Sequence, residues 1–496
     1  MDLTIFLYLS SGLFLGWSLG ANDAANVFGT AVGSRMIKFR TAAIIISVFV
    51  IVGAVISGAG AAHTLSKLGA VNALGGAFMT AFSAAAVVAW LTILGLPVST
   101  TQAVVGAIIG WNLFTNSVTD YTIFKTIVST WVASPVLTGV VTYFMYKGVQ
   151  RLLRWSQIHL IRLDALTRIA LVVAGIMGSY SLGANNIANV MGVFIGANPF
   201  KDIDVSGIAT FTGLQQLFLL GGIAIAVGVF SYAKKVMLTV GSSIVPLTPV
   251  GAFVVVIATS VTLFLFASSD LEYMLASMGL PTIPLVPVSS SQAVVGGVIG
   301  IGLVRNARNI KWGVIGRIVW AWVQTPIVSA LVCYVLLFFL QNVFGQTVFN
   351  PVEYRLSDRV LARYADKLDI APLTVLNDKS FNTSGQLKKA MDGIIPNMEF
   401  KTELKIIDDA LVEGITVDPS KFEELEKMEV LDESELGAVK KLAGRTFTYR
   451  WGLVQALAEN SPRWQLKENT VLNKPFNKRI NKNLAVIFDL YTVKMK

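Results

Sequence analysis

Apolar residues run through the first 350 positions of the chain with few interruptions. Uncharged stretches long enough to span a bilayer cover 3–22, 41–62, 75–96, 126–146, 169–199, 205–233, 236–269, 273–304 and 318–352. A spanning helix needs ~20 apolar residues, so each stretch predicts a membrane helix and the longest predict more than one crossing. Polar islands, glycines and prolines punctuate some of them. The stretch 169–199 holds Gly183-Ala184-Asn185-Asn186, and 273–304 holds Pro281, Pro284, Pro287 and the serines 289–291. Pro and Gly interrupt the helical backbone ladder. Freed backbone groups survive in a bilayer only when buried in protein or lining a cavity. The pattern therefore predicts broken helices or re-entrant hairpins at 20–34, 97–111, 183–197 and 287–301.

These islands recur. Ser18-Leu19-Gly20-Ala21-Asn22-Asp23-Ala24-Ala25-Asn26-Val27-Phe28-Gly29 returns 163 residues later as Ser181-Leu182-Gly183-Ala184-Asn185-Asn186-Ile187-Ala188-Asn189-Val190-Met191-Gly192. Pro97-Val98-Ser99-Thr100-Thr101-Gln102-Ala103-Val104-Val105-Gly106 returns as Pro287-Val288-Ser289-Ser290-Ser291-Gln292-Ala293-Val294-Val295-Gly296, offset by 190. Trp131-Val132-Ala133-Ser134-Pro135 is answered by Trp322-Val323-Gln324-Thr325-Pro326, offset by 191. Three ordered matches at nearly constant offset indicate an internal duplication. Whether the copies are parallel or inverted is not readable from these matches.

Charge is placed unevenly. From Pro351 onward there are 23 basic and 22 acidic residues, leaving 17 and 8 of the chain's 40 and 30 for the first 350. The reading is an all-α polytopic membrane protein with a soluble C-terminal domain: membrane repeat 1 at 1–146, a basic amphipathic linker at 147–168, membrane repeat 2 at 169–345, and the soluble part at 351–496. The formal charge of +10 belongs mostly to the membrane part, where Arg35, Lys38, Arg40, Arg151, Arg154, Arg162, Arg305, Arg308 and Lys311 sit at short loops. That is juxtamembrane charge, not a nucleic-acid footprint. The single cysteine, Cys333, allows neither a disulfide framework nor a thiolate metal site.

Asp23 is the only acid between Leu3 and Thr119. A carboxylate at membrane depth costs ~2.5–3.5 kcal/mol on insertion scales and marks a functional site by default. Around it the islands supply Asn22, Asn26, Asn185, Asn186 and Asn189, the hydroxyls Ser99, Thr100, Thr101, Ser289, Ser290 and Ser291, and the amides Gln102 and Gln292. Each also has a structural use, as interhelical hydrogen-bond glue or as helix caps. Their shared recurrence points to a site. Hydroxyls, amides and half-helix N-termini suit an oxyanion, while a carboxylate with amide and backbone oxygens suits Na⁺. An anion held without a basic side chain needs compensating cations, which favours cation-coupled anion uptake over a simple pore. No acid–base pair or metal constellation accompanies Asp23, which argues against an enzyme, and no organic cofactor is expected.

Over residues 1–345 these motifs resemble the inorganic phosphate transporter (PiT) family. The resemblance implies two inverted-topology repeats with alternating access, carrying phosphate by symport with Na⁺ or H⁺ in the cell membrane. Asp23 matches the family's signature aspartate, and the Ser/Thr triplets match its hydroxyl-rich hairpins. On that basis Asn22, Thr100, Thr101, Asn185, Ser290 and Ser291 are assigned to phosphate, and Asp23, Asn26, Asn186 and Asn189 to Na⁺. Ser99, Gln102, Ser289 and Gln292 are secondary candidates. The chain departs from the pattern where many members carry a histidine after the triplet and this one carries Gln102 and Gln292, and where eukaryotic members carry a glutamate and this one has Val50. Gln ligates Na⁺ and cannot relay a proton, which favours Na⁺ coupling. H⁺ coupling, sulfate or another oxyanion, and an anion channel with a regulatory tail are the alternatives. Homodimer assembly stays open.

Overall fold

The computed structural model describes residues 3–69, 71–94, 98–205, 209–240, 247–305, 310–366, 368–428 and 430–492. Pro97 and Arg308 lie outside them. The chain divides into two units, one of residues 1–115, 119–272 and 283–350, the other of 116–118, 273–282 and 351–496.

The first unit is helical. Its elements are α1 (Leu3–Gly33), α2 (Phe39–Ser57), α3 (Ala59–Leu68), α4 (Leu74–Ile93), α5 (Thr100–Thr115), α6 (Tyr121–Ser156), α7 (Leu160–Met191), α8 (Gly213–Ser231), α9 (Ala233–Val240), α10 (Pro249–Ala267), α11 (Ser269–Ser277), α12 (Ser290–Val304) and α13 (Trp312–Asn342). Helix α11 runs on into the second unit. A two-stranded antiparallel ribbon, β1 (Ile203–Val205) with β2 (Ala209–Phe211), follows α7. Among the described residues, seven helices are long and apolar enough to cross a membrane: α1, α2, α4, α6, α8, α10 and α13. Their outer faces expose large apolar side chains, such as Val132, Val136 and Val140 on α6 and Trp320, Val323, Ile327 and Leu331 on α13. The interior holds the asparagines and hydroxyls among a larger set of buried apolar side chains. A chain built this way is a multi-pass membrane protein.

Two of the four expected breaks are absent. Helix α1 runs unbroken through Gly20, Asp23 and Asn26, and α7 through Gly183, Asn186 and Asn189, tightening to a 3₁₀ turn only at Gly192–Ala197. These glycines serve close crossings rather than unwinding. A Cβ on Gly20 would lie 2.0 Å from the Ile225 carbonyl oxygen of α8, and one on Gly183 2.1 Å from that of Val50 on α2. The other two breaks are present. Val98 and Ser99 are outside any helix and α5 begins at Thr100, while 280–289 lacks regular structure and α12 begins at Ser290.

The recurring motifs meet across the duplication. Gly106 of α5 lies against Pro326 of α13, and Gly296 of α12 against Pro135 of α6, where a Cβ would come within 2.1 Å and 2.0 Å of the proline carbonyl oxygens. Each short helix thus packs on the Trp-x-x-x-Pro segment of the other copy. The segment 147–168 is not a helix of its own. Helix α6 continues to Ser156, the chain turns at Gln157 with φ 44°, and α7 starts at Leu160. Both flanking helices extend beyond their apolar spans, so the basic residues lie on helix ends.

The second unit is mixed. Strand β3 (Glu353–Arg355) pairs antiparallel with β4 (Ser380–Phe381) and β5 (Leu411–Val412), and β6 (Ile415–Thr416) pairs with β7 (Thr446–Phe447). Short helices pack two apolar clusters around Leu373, Met391 and Ile406 and around Val439, Trp464 and Ile487. Its buried acids are paired: Glu403 takes Lys388 at 2.7 Å, and Glu435 takes Arg479 and Asn483 at 3.1 and 3.0 Å. The region 420–445 forms two short helices, Phe422–Lys427 and Glu433–Lys440.

The close crossings generate a test. Gly183→Ala should cost about 1–3 kcal/mol through overpacking against the α2 backbone, seen as a lower melting temperature in detergent. Gly148→Ala, where the added Cβ meets nothing within 4 Å, should leave the melt unchanged or slightly raised.

Candidate substrate and ion site

The islands of α1 and α7 converge with the N-termini of α5 and α12. Thirteen of the fourteen candidate residues are buried, and Asn26 is half-buried. At the centre, Asp23 presents both carboxylate oxygens to neutral donors. Oδ2 accepts from Ser290 Oγ at 2.7 Å and Asn186 Nδ2 at 3.4 Å. Oδ1 accepts from Asn22 Nδ2 at 2.9 Å and Ser291 Oγ at 3.4 Å. No Lys or Arg is buried among the described residues. The carboxylate is therefore held by hydroxyls and amides alone.

The two copies use their equivalent residues in parallel. Asn22 donates to Asp23 at 2.9 Å as Asn185 donates to Asn186 at 2.9 Å. Across the duplication, Asn26 donates to Ser291 at 3.4 Å and Asn189 donates to Thr101 at 2.9 Å. Each first asparagine also reaches the backbone ahead of its short helix: Asn22 to the Val98 carbonyl at 3.5 Å, Asn185 to the Val288 carbonyl at 2.7 Å. Asn185 completes the grip, since its Oδ1 accepts from the Val288 amide at 3.0 Å. It acts like one rung of a β-ladder, answering two backbone groups that the break at 280–289 leaves without helical partners.

The triplets divide their labour. Ser99 and Ser289 are caps, accepting from the amides of Gln102 and Gln292, each at 3.2 Å. Thr100, Thr101, Ser290 and Ser291 are left at the first turn, beside amides that carry the helices' partial positive charge. Four buried oxygens of the set have no protein partner among the described residues: Thr100 Oγ1, Gln102 Oε1, Asn189 Oδ1 and Gln292 Oε1. All four can accept or ligate, and three are amide carbonyl oxygens. Such a donor set fits a hard cation or a hydrated anion bound with one.

Sequence reasoning overlooked α10. Thr259 and Ser260 line a cavity of ≈ 10 Å³ together with Asn26 and Ser290. The available signal was a hydroxyl cluster, Thr259, Ser260 and Thr262, inside the otherwise apolar run 236–269. A larger cavity of ≈ 360 Å³, lined by Met36, Lys38, Arg168 and Val172 among others, touches none of the candidate residues.

The phosphate transporter family model matches residues 19–333. A candidate phosphate permease of Methanocaldococcus jannaschii is 27% identical over 338 residues, covering 68% of this chain and 98% of that protein. The sulfate permease of Bacillus subtilis is 30% identical over 356 residues, covering 68% of this chain and 87% of that one. Among solved structures, a sodium-dependent phosphate transporter superposes with a TM-score of 0.52 at 27% identity, covering 68% of this chain and all of that one.

The Asn185 grip generates a test. Asn185→Leu leaves the Val288 amide buried without its partner and the Val288 carbonyl with only the longer bond from the Thr101 hydroxyl at 3.4 Å, and should cost roughly 1–3 kcal/mol. A lowered melting temperature in detergent would register it. A melt equal to the wild type would mean the break at 280–289 is held by something else.

Proposed function

Because this chain belongs to the phosphate transporter family, a family of transporters and not enzymes, we propose that it imports inorganic phosphate across the cell membrane by symport with Na⁺. The observation that carries this reading is the set of buried oxygens among the candidate residues that have no protein partner among the described residues, in a site without a basic side chain. A dianion brought among such groups needs positive charge from elsewhere, and co-transported Na⁺ is the source that amide and carboxylate oxygens accommodate. The likeness to a sodium-dependent phosphate transporter supports the same coupling.

The residues divide by chemistry. Asp23, Asn26, Asn186 and Asn189 hold Na⁺, with Gln102 and Gln292 as further oxygen ligands. Asn22, Thr100, Thr101, Ser290 and Ser291 hold phosphate at the first turns of α5 and α12, whose amides face its oxygens. Asn185 reaches phosphate only by releasing the Val288 peptide, so its first role is to hold the approach to α12. The two copies are inverted repeats, and transport alternates access to the shared site by moving one pair of elements against the other. The portion 351–496 is a soluble domain outside this machinery.

Sulfate is the second reading, favoured by the identity with a sulfate permease. The two oxyanions differ in one proton. HPO₄²⁻ has a hydrogen to donate to a carboxylate and sulfate has none, so an ionised Asp23 beside the anion favours phosphate.

Uptake into proteoliposomes under an inward Na⁺ gradient, against an equal K⁺ gradient at fixed pH, tests the proposal. Concentrative phosphate uptake only with Na⁺, unaffected by excess sulfate and lost in Asp23→Asn, is the expected outcome. Uptake driven by a pH step instead would reverse the coupling assignment, and inhibition by sulfate would reverse the substrate assignment.

A further inference from the structure

Two basic residues stand at the mouths of neighbouring apolar runs. Lys38 directly precedes the membrane span of α2, Phe39–Ser57, and Arg168 directly precedes the uncharged run 169–199 of α7. The fold brings them together. Both line the cavity of ≈ 360 Å³ formed by the α1–α2 connection, the start of α2 and α7. Thr41 is the other polar residue of the lining. The remaining walls are apolar, with Ile37 from the connection and Val172 and Val173 one turn further into α7.

The polar end carries net positive charge. Arg168 donates from Nε to Asp164 and from one Nη to the Met36 carbonyl, each at 2.8 Å. A guanidinium has five N–H groups, so others are left to give. Lys38 has no hydrogen-bond or ion-pair partner among the described residues. Two cations thus face one carboxylate. The first turn of α2 has neither a side-chain cap nor an acid, and its amides add partial positive charge beside Thr41.

The apolar end continues along the bilayer-facing surface. Ile44 and Val48 on α2, and Ile169, Val173 and Met177 on α7, are exposed. Their four-residue spacing sets each group on one helix face. A free oxyanion would use the cations and leave the apolar walls uncovered. A molecule with an anionic head and a hydrocarbon body covers both.

We propose that this cavity binds an anionic phospholipid. Lys38, Arg168 and the first turn of α2 hold its phosphate head, and its acyl chains lie on the exposed apolar faces of α2 and α7. A basic pocket between membrane helices at the bilayer boundary suits such a headgroup. The site touches none of the residues around Asp23, and the inference does not depend on which ions the protein carries. Arg168 also joins α7 to the end of α1 through the Met36 carbonyl, so the lipid rests on the joint between the two helices that bear the asparagine islands.

Binding of radiolabelled dioleoylphosphatidylglycerol to the purified full-length protein in detergent tests this, with dioleoylphosphatidylcholine and inorganic phosphate as competitors. Saturable binding that neither competitor displaces is the expected result. Lys38→Gln should weaken it about fivefold, the worth of one basic residue against an anionic lipid surface. Val172→Trp fills the apolar part and leaves every charge in place, and should weaken it at least as much. Arg317→Gln removes a charge from the first part of α13, outside the cavity, and should leave binding unchanged. Displacement by phosphatidylcholine would mean unselective lipid contact, and displacement by inorganic phosphate a site for the free ion; either overturns the proposal. Lys38→Gln and Val172→Trp proteins that bind the lipid like wild type overturn it as well. So does a Val172→Trp variant that splits a dimer while binding lipid normally, since a second copy of the chain is then the occupant.

Discussion

A carboxylate sealed among helices, with no basic side chain to answer it, has to be satisfied by neutral donors from several elements at once. Asp23 is in that position. Its oxygens take hydrogen bonds from α1, α7 and the first turn of α12. Those elements come from both copies of the duplication, so the carboxylate ties the halves together at the point where each interrupts its apolar run. The same requirement explains why the surroundings are amides and hydroxyls. Asparagine supplies a donor and an acceptor on one short arm, and serine or threonine at a helix start stands beside amides that favour negative charge.

Bringing those elements close enough is the work of glycine and of proline carbonyls. The crossings of α1 on α8 and of α7 on α2 place Gly20 and Gly183 within van der Waals reach of backbone oxygens. The short helices α5 and α12 press Gly106 and Gly296 on Pro326 and Pro135 in the same way. Small residues at crossings are how helices associate in a medium without a hydrophobic drive between them. Here each close approach joins one copy to the other, so the site forms at an interdigitated boundary and not within either half.

The membrane helices, the recurring islands and the clustering of the candidate residues were legible in the sequence because each rests on a local or recurring signal: apolar length, repeated islands, an isolated acid. The starts of α5 and α12 followed from proline followed by hydroxyls. What misled was glycine. Gly20 and Gly183 predicted unwinding, yet glycine marks both a broken helix and a tight crossing, and only the partner helix decides which. The partner backbone is supplied by residues some 130 to 205 positions away, beyond any local pattern. The same gap hid Thr259. A hydroxyl in an apolar helix is ordinarily satisfied by its own backbone, and nothing in the sequence separates it from Thr262, which is.

The copies are alike in framework and unlike at one atom. Where Asp23 stands in the first, Asn186 stands in the second, and the hydrogen bonds diverge from that point. Ser290 donates to Asp23, whereas its counterpart Thr100 has no protein partner among the described residues. Asn186 has an acceptor oxygen, but Asn185 and Asn189 already occupy it at 2.9 and 3.1 Å. An amide has one acceptor atom where a carboxylate has two, so Asn186 lacks the second oxygen through which Asp23 takes Ser290. A perfectly symmetric pair of carboxylates would place two negative charges in one desolvated volume, which like-charge repulsion opposes. One acid and one amide avoid that cost, and the Thr100 hydroxyl without a protein partner lies at the first turn of α5, beside amides that carry the helix's partial positive charge.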